Sequence, residues 1–332
     1  MIWIFSSFKM VNPKSICEKL DRRLSAVLGS RIVILNYHHV LASRQDLFNI
    51  CVAPKNFEAH LEFLKRRYRV LGLSELLGLL KIGKIPHRAV VLTFDDGYSD
   101  NYLNAVPLLE KYRMPATFFV TTQHLDTLEE FWWDGIQRLA LSLKKFPEKV
   151  HLEISGEDCE LALGSSPEPT LRLLSQKMYS LEEESRRRLL QELFRKCGVR
   201  DEPRAEYRCF SSEELFLISK NPLFEMGAHT VSHRSLKSLP LETQRMEILA
   251  SKKCLEEIIQ KTIRHFAYPF GTPEHYTPET QRLVQACGFK SACTVGSSAV
   301  NPDSPLFGLC RLAVGDGPAT SFSQKLAECF HS

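Results

Sequence analysis

The order of strand-like and helix-like segments limits the fold of this chain more than any other feature. Short runs rich in β-branched and aromatic residues occur at Arg31–His38, Ala89–Phe94 and Ala116–Thr122. Apolar residues three or four positions apart predict a helix between the first two runs, from about Pro54 to Tyr68. Because strands separated by helices favour parallel pairing, we predict a parallel sheet or barrel.

The alternation stops between residues 123 and 210 and then resumes. This segment contains FWWD, an irregular Gly/Ser/Pro stretch at Ser155–Pro169 and a charged helix. In that helix Glu182, Glu183 and Glu184 each precede an arginine by four residues, which predicts ion pairs on a solvated face. We therefore expect an α/β, barrel-like domain of about seven strands from residues 31–122 and 211–332. An inserted, mainly helical segment at 123–210 would lie beside the active-site face, and residues 1–30 would form an N-terminal extension.

Composition places the chain among ordinary globular proteins. Its 332 residues are 44% hydrophobic and 25% charged, with a net charge of +4. No basic stripe interleaved with aromatic residues is present, so we expect no nucleic acid partner. No apolar run reaches eighteen residues, so we expect no transmembrane segment.

The N-terminus and the cysteines bear on location. MIWIFSSFKM lacks a basic region and a small-residue cleavage site, so it does not resemble a signal peptide. We expect it to pack on the protein, with peripheral membrane contact as the alternative. The ten cysteines form no C-x-x-C pair, which favours reduced thiols and a cytoplasmic location.

Four polar clusters fall at the carboxyl ends of predicted strands, the face on which parallel α/β folds build active sites. The first is LTFDDGYSDNY, which contains Asp95 and Asp96. Adjacent residues leaving a strand point in different directions, so one carboxylate can bind a cation while the other reaches a water molecule. The alternative is a solvated turn.

The second cluster is GAHTVSH, in which His229 and His233 can converge on one metal. Two unrelated surface histidines are the alternative. Combined with a carboxylate from another strand end, the pair leaves coordination positions open for water and substrate, as catalytic metal sites do.

The remaining clusters are FAYPFG (Phe266–Gly271) and LNYHHV (Leu35–Val40). The first could supply a hydrophobic wall and a backbone N–H for a developing oxyanion, or it could be a plain turn. The second places His38 and His39 at a strand end, where one could act as a general acid. A hydrogen-bonded core histidine is the competing interpretation.

TFDDG followed by H-T-x-x-H resembles the first two motifs of the polysaccharide deacetylases, the NodB-homology domain of carbohydrate esterases. The resemblance extends from about residue 31 to residue 314, without the insertion. It implies a distorted (β/α)7 barrel with Asp95 as the general base. It also implies one divalent cation bound by Asp96, His229 and His233, with zinc expected and cobalt, nickel or iron as alternatives.

The chain departs from the family pattern at two places. Aligning Pro269 with the proline of the family's Arg-x-Pro motif makes the Phe270 N–H the oxyanion donor, but Ala267 stands at the arginine position. We hypothesise that Arg311 supplies this charge.

No late Leu-x-His motif is present to supply the general acid. The Tyr-His-His run resembles the permuted arrangement of bacterial exopolysaccharide deacetylases, which makes His38 the general acid and His39 the alternative.

The implied function is a metal-dependent hydrolase that removes acetyl groups from N-acetylhexosamine units of a polysaccharide or glycan precursor. We expect Tyr268 and Pro269 to contact this acetylated substrate. Trp132 and Trp133 could form a sugar-stacking platform or pack in the core. A catalytically inactive carbohydrate-binding protein is the main alternative function, and a phosphoesterase is a second. The sequence does not predict the oligomeric state.

Overall fold

The computed structural model describes residues 31–43, 46–143 and 146–331. The expected N-terminal extension, residues 1–30, lies outside these ranges, and so does the expectation that its MIWIFSSFKM segment packs on the protein or touches a membrane. None of the helices within the described ranges is long and apolar enough to cross a lipid bilayer.

The described chain contains ten β-strands. Eight of them belong to one parallel sheet, and the other two pair as an antiparallel hairpin. In chain order the strands are β1 (Ile32–Tyr37), β2 (Arg69–Leu71), β3 (Ala89–Phe94), β4 (Ala116–Val120), β5 (Lys149–Ile154), β6 (Glu157–Ala162), β7 (Phe224–Ala228), β8 (His265–Ala267), β9 (Ser291–Val295) and β10 (Leu309–Ala313).

The parallel sheet closes into a barrel because β3 bonds to β1 on one edge and to β4 on the other. The order around the barrel is β1, β10, β9, β8, β7, β4, β3 and back to β1. The short β2, which the sequence did not predict, pairs only with the beginning of β3, where Arg69 lies opposite Ala89. Seven parallel strands therefore form the closed ring, and the predicted (β/α)7 barrel is confirmed.

Ten α-helices accompany these strands in the described ranges. They are α1 (Pro54–Arg67), α2 (Leu73–Lys81), α3 (Val106–Tyr112), α4 (Trp132–Ser142), α5 (Glu168–Met178), α6 (Glu183–Lys196), α7 (Ser212–Lys220), α8 (Leu241–Ile259), α9 (Pro278–Ala286) and α10 (Ala319–His331). Local sequence explains several starting points. Pro54 and Pro278 occupy first-turn positions, where a missing N–H costs nothing. Ser211 and Thr277 accept hydrogen bonds from the first turns of α7 and α9 in capping boxes.

Alternate residues of each strand face opposite sides of the barrel wall. In β1, Ile32 and Ile34 belong to an apolar cluster that also contains Val91 of β3, which places this cluster inside the barrel. Val33 and Leu35 belong to the larger cluster between strands and helices. This alternation decides which side chains beyond each strand end enter the cavity described below.

The segment between β4 and α7 contains α4, the β5–β6 hairpin, α5 and α6, packed around a hydrophobic cluster of their own. The prediction of irregular structure over Ser155–Pro169 is wrong for residues 157–162, which form the strand β6. In β5 the buried residues Val150, Leu152 and Ile154 alternate with exposed ones. The tight turn that follows begins at Ser155, which, like the glycine after it, has a positive φ.

The charged helix α6 is only partly a solvated face. Glu184 pairs on the surface with Arg187 and with Arg188, the latter at 2.9 Å. Arg186, however, is fully buried. Its Nε donates to the carbonyl oxygen of Met178 and its Nη2 to that of Tyr179, both at 2.9 Å, at the end of α5. The prediction of a solvated face is therefore wrong for Arg186. Hydrogen bonds to these carbonyl oxygens offset the free-energy cost of burying its charged guanidinium.

Candidate active site

A cavity of about 390 Å³ lies at the carboxyl ends of the barrel strands. This volume is within the range of small-ligand pockets, roughly 300–1,000 Å³. The barrel and the insertion both contribute to the lining, which consists of Asn36, His38, Phe48, Ile50, Asp95, Asp96, Trp132, Trp133, Tyr179, His229, His233, Phe270, Thr272, His275, Val295 and Ala313. The loops that follow β1, β3, β7 and β8 thus converge at this cavity. This agrees with the expectation that polar residues after parallel strands gather at one end of the barrel.

Asp96, His229 and His233 face one another in this cavity. Oδ1 of Asp96 lies 3.4 Å from Nε2 of His233 and 3.6 Å from Nε2 of His229. All three side chains are buried, and their potential ligand atoms lie within 4.8 Å of one another. Ligand atoms bonded to a tetrahedral zinc ion at about 2.0–2.2 Å are themselves roughly 3.4 Å apart. The spacing therefore fits a single cation.

The electrostatics of these residues also fit a cation. Oδ1 of Asp96 is buried and has no hydrogen-bond partner among the described residues. Burial, reinforced by the charge of Asp95, raises the pKa of Asp96 well above its usual value. Burial lowers the pKa of both His229 and His233, which keeps these imidazoles neutral. Neutral imidazoles are the ligand form, and a bound cation would offset the cost of an ionised Asp96.

Backbone contacts orient these ligands. Nδ1 of His229 lies 2.8 Å from the carbonyl oxygen of Ala267, so this nitrogen carries the proton and Nε2 is left free for a metal. The backbone N–H of His233 donates to the side-chain Oγ1 of Thr230 at 3.1 Å. Asp96, Thr230 and His233 have φ values of 72°, 67° and 50°. Such left-handed residues cost about 1–3 kcal/mol each and are concentrated at functional sites.

Asp95 is held by a buried arginine. Nη1 and Nη2 of Arg311 donate to the two carboxylate oxygens of Asp95 at 2.6 and 2.7 Å. Thr93 Oγ1 and the Thr294 carbonyl accept further bonds from the same guanidinium at 3.3 and 3.2 Å. Burial alone would raise the pKa of Asp95, but the positive charge and the hydrogen bonds of Arg311 lower it to about 2. Asp95 is therefore ionised at neutral pH.

The closure of the barrel explains this pairing. In the ring β1 lies between β3, which precedes Asp95, and β10, which carries Arg311. Arg311 is opposite Ile34 of β1, and Ile34 is opposite Val91 of β3. The arginine therefore reaches across β1 inside the barrel. The structure thus brings Arg311 into contact with Asp95, and its role as a substitute for the motif arginine stays a hypothesis.

The two adjacent histidines have different surroundings. His38 lines the cavity, and its carbonyl accepts a bond of 2.7 Å from Asn101 Nδ2. His39 is fully buried outside the lining, with Nδ1 2.5 Å from Asp100 and Nε2 3.5 Å from Asp134. Burial lowers the pKa of His39, but these carboxylates outweigh it and raise the pKa to about 10. Of these two histidines, only His38 therefore lines the cavity.

The FAYPFG turn brings Phe270 to the cavity. Phe270 has a φ of 62°, and its N–H has no hydrogen-bond acceptor among the described residues. Gly271, with a φ of 72°, lies so close to Val295 that a Cβ would come within 2.8 Å of the Val295 backbone nitrogen. Glycine is therefore required here, which fixes the path of the turn.

The same turn does not present Tyr268 or Pro269 to the cavity. Both are buried outside its lining. The hydroxyl of Tyr268 donates to the Phe307 carbonyl at 3.1 Å, within the layer between strands and helices. The structure therefore does not support the prediction that Tyr268 and Pro269 contact substrate. Tyr268 follows Ala267, which faces the barrel interior, so its own side chain points outward. Pro269 is buried within the turn.

Trp132 and Trp133 line the cavity but expose only 4% and 6% of their surface. Trp133 also donates from Nε1 to the Tyr98 hydroxyl at 2.7 Å, and both rings belong to the hydrophobic core of the insertion. Core packing is thus their main role here, and little ring surface is left for a sugar.

Sequence reasoning missed two half-buried aromatic residues in the lining, Tyr179 and His275. Tyr179 follows α5 inside the insertion, where no motif marks it. His275 follows the FAYPFG turn by four residues, and this proximity was the only signal available.

Comparisons with known proteins point to one family. Residues 83–198 and 201–292 match the family model described as "Polysaccharide deacetylase". YxkH of Bacillus subtilis (strain 168), which is named for the same family, is 24% identical over 294 residues, covering 88% of this chain and 74% of YxkH. A Staphylococcus aureus (strain MSSA476) poly-beta-1,6-N-acetyl-D-glucosamine N-deacetylase is 37% identical over 91 residues. That match covers 27% of this chain and 31% of the relative.

Solved structures share the fold. The Streptococcus pyogenes deacetylase PplD aligns with a TM-score of 0.58 at 19% identity, covering 89% of this chain and 97% of PplD. IcaB from Ammonifex degensii aligns with a TM-score of 0.58 at 19% identity, covering 92% of this chain and 98% of IcaB. At such identities the likeness demonstrates the fold alone. Because the family model matches more than half of the chain, this protein belongs to the polysaccharide deacetylase family.

Proposed function

We propose that this chain is a metal-dependent hydrolase that removes acetyl groups from N-acetylhexosamine units of a polysaccharide or glycan precursor. The observation that supports it most directly is the convergence of Asp96, His229 and His233 beside an ionised Asp95. These three residues would hold one divalent cation. When bound, such a cation supplies Lewis acidity, which polarises a carbonyl group and acidifies water.

The side chains of this protein would then carry out the proton transfers. Asp95 accepts a proton from the water molecule as its oxygen attacks the acetyl carbonyl carbon. Arg311 holds both oxygens of Asp95, so the carboxylate stays ionised and keeps one orientation. The Phe270 N–H is the candidate donor to the carbonyl oxygen as negative charge develops there.

His38 is the candidate acid for the departing amine. Burial lowers its pKa to about 4, although the negative charge of Asp95 acts in the opposite direction. The imidazole is therefore neutral at pH 7 and must acquire a proton during the reaction. The proton that Asp95 takes from water is the available source. Acetate and a free amino sugar are the products.

The two alternatives have less support. The missing motif arginine favours an inactive carbohydrate-binding protein, but the contact of Arg311 with Asp95 supports the enzymatic function instead. A two-metal phosphoesterase would need further ligands. Among the described residues, Asp96, His229 and His233 form the only group of three that could hold a metal.

The staphylococcal relative is named for a β-1,6-linked N-acetylglucosamine polymer, which makes such a polymer the first substrate to test. Zinc is the proposed metal, with cobalt, nickel or iron as alternatives. We also propose a cytoplasmic location, with peripheral membrane contact as an option. The free thiols of all cysteines in the described ranges support a reducing compartment.

The test is acetate release from β-1,6- and β-1,4-linked N-acetylglucosamine oligosaccharides and from O-acetylated glycans. We expect release of acetate together with a free amine, its loss after chelation, and its recovery with one of the four metals. Saturable binding of an oligosaccharide by the metal-loaded protein without any acetate release would instead favour the binding function.

A further inference from the structure

A group of aromatic side chains extends from the candidate metal ligands toward the insertion. The ring of His233 lies 4.6 Å from the ring of Phe270. The Phe270 ring lies 4.3 Å from that of Tyr179 and 4.6 Å from that of His275. Tyr179 and His275 are in turn 5.2 Å apart. One aromatic ring thus separates Tyr179 from the site of the proposed chemistry.

These outer rings have accessible surface, unlike the two tryptophans. Tyr179, Phe270 and His275 are each partly exposed at the cavity. Trp132 lies beside Tyr179 with ring centroids 5.8 Å apart. Its indole nitrogen is buried and has no acceptor among the described residues. A donor without an acceptor in a cavity wall is costly unless a ligand supplies one.

The position of Tyr179 is fixed rather than adaptable. The buried Arg186 binds the carbonyl oxygens of Met178 and Tyr179. Its Nη1 also lies 3.5 Å from the carbonyl of Ser232, the residue before the ligand His233. The same arginine therefore links the insertion to the metal-ligand loop, so that Tyr179 is held at a set distance from the reacting centre.

We propose that Tyr179 and His275, backed by Phe270, form a second sugar subsite that binds the pyranose next to the one that is deacetylated. This inference rests on the proposed function and adds that the substrate is an oligosaccharide of two or more units. Aromatic faces pack on the apolar faces of pyranose rings, and the Trp132 N–H offers a donor to a sugar oxygen.

The first test compares variants on two substrates, an N-acetylglucosamine tetrasaccharide and an aryl acetate too small to reach the subsite. Tyr179→Ala should lose about tenfold more kcat/KM on the tetrasaccharide than on the ester, because one stacked ring contributes on the order of one decade in affinity. Tyr179→Phe keeps the ring and should restore the tetrasaccharide rate. His275→Ala should show the same selective loss. Equal losses on both substrates, or no loss on either, would overturn the subsite.

Tyr112→Ala is the matched control, since Tyr112 is another half-buried tyrosine, lies outside the cavity lining and contacts Glu58 and Glu62 instead. It should leave the ratio of the two rates unchanged.

The second test needs no variant. With the wild-type enzyme, kcat/KM should rise steeply from the monosaccharide to the disaccharide, and a flat profile over chain length would contradict the proposal. Different results would reject the proposed function and the subsite. Absence of chelator-sensitive acetate release from every substrate would reject the proposed function. Chelator-sensitive release at a rate that is independent of chain length and of Tyr179 would reject the subsite alone.

Discussion

Arg311 and Asp95, 216 residues apart in the sequence, form a two-pronged ion pair inside the barrel, with N–O distances of 2.6 and 2.7 Å. Both side chains are almost completely buried, so neither charge has water as a substitute partner. Removing one partner of such a pair lowers the free energy of unfolding by more than the intact pair contributes to it, since an uncompensated charge is left in the interior.

Replacing Arg311 with methionine should therefore affect both stability and activity. We expect a loss of about 3–5 kcal/mol in the free energy of unfolding, measured by urea denaturation. Acetate release should fall on the order of 100-fold because Asp95 loses its ionised, oriented state. The double variant Asp95→Asn/Arg311→Met should recover part of the stability but none of the activity. A fully active Arg311→Met enzyme would remove Arg311 from its proposed role.

Asp95→Asn should separate metal binding from turnover. The amide preserves the shape of the side chain but cannot accept the proton from water, so kcat should fall by roughly 10²–10⁴-fold. Metal content, measured by elemental analysis, should stay at the wild-type level because Asp96 supplies the ligand oxygen. Asp158→Asn on the exposed hairpin is the control and should retain both properties. Unchanged turnover in Asp95→Asn would contradict the assignment of the base.

His233→Ala should lose the cation. Removing one of three protein ligands leaves Asp96 and His229 to hold the metal, and we expect the ion to be lost on dialysis against a weak chelator. His151→Ala, which alters an exposed histidine of the β5–β6 hairpin, is the control and should keep its metal. A fully loaded His233→Ala protein would refute this ligand assignment.

His39 should make stability dependent on pH in the alkaline range. Its pKa is raised from 6.5 to about 10 in the folded protein, because the carboxylates of Asp100 and Asp134 outweigh the effect of burial. Protonated His39 therefore stabilises the fold fully below pH 6.5, and this contribution is lost as the pH rises toward 10. We expect the free energy of unfolding to fall from pH 7 to 10 in the wild type, and less steeply in His39→Gln.

The exposed-histidine variant His151→Gln is the reference for this experiment and should follow the wild-type curve. Parallel curves for the wild type and His39→Gln would show that His39 is not protonated in the folded state.

The convergence of Asp95, Asp96, His229 and His233 could be predicted because these residues follow strands that the sequence pattern identifies. Alternation along a strand would have improved the prediction further. Ile32 and Ile34 face the barrel interior, so the next residues on that side are Asn36 and His38, whereas His39 faces outward. The same alternation places Ala267 inside the barrel and Tyr268 outside it, away from the cavity.

The insertion was less predictable for a physical reason. The β5–β6 hairpin carries a clear period of two, so it could have been recognised from Val150, Leu152 and Ile154. The burial of Arg186 and the cavity position of Tyr179 could not, because both depend on how α5 packs against α6 and the loop of His233. No local pattern encodes that contact.

The candidate ligands also have a consequence for the lifetime of the protein. Asp96 follows β3, and the two histidines follow β7, with the whole insertion between them in the chain. A cation bound there would link the two parts of the chain on either side of the insertion. It would bind only the folded protein, in which the barrel is closed. Its affinity would thus add to the resistance of the protein to melting and proteolysis. Metal starvation should then lower the cellular abundance of this protein as well as its catalytic rate.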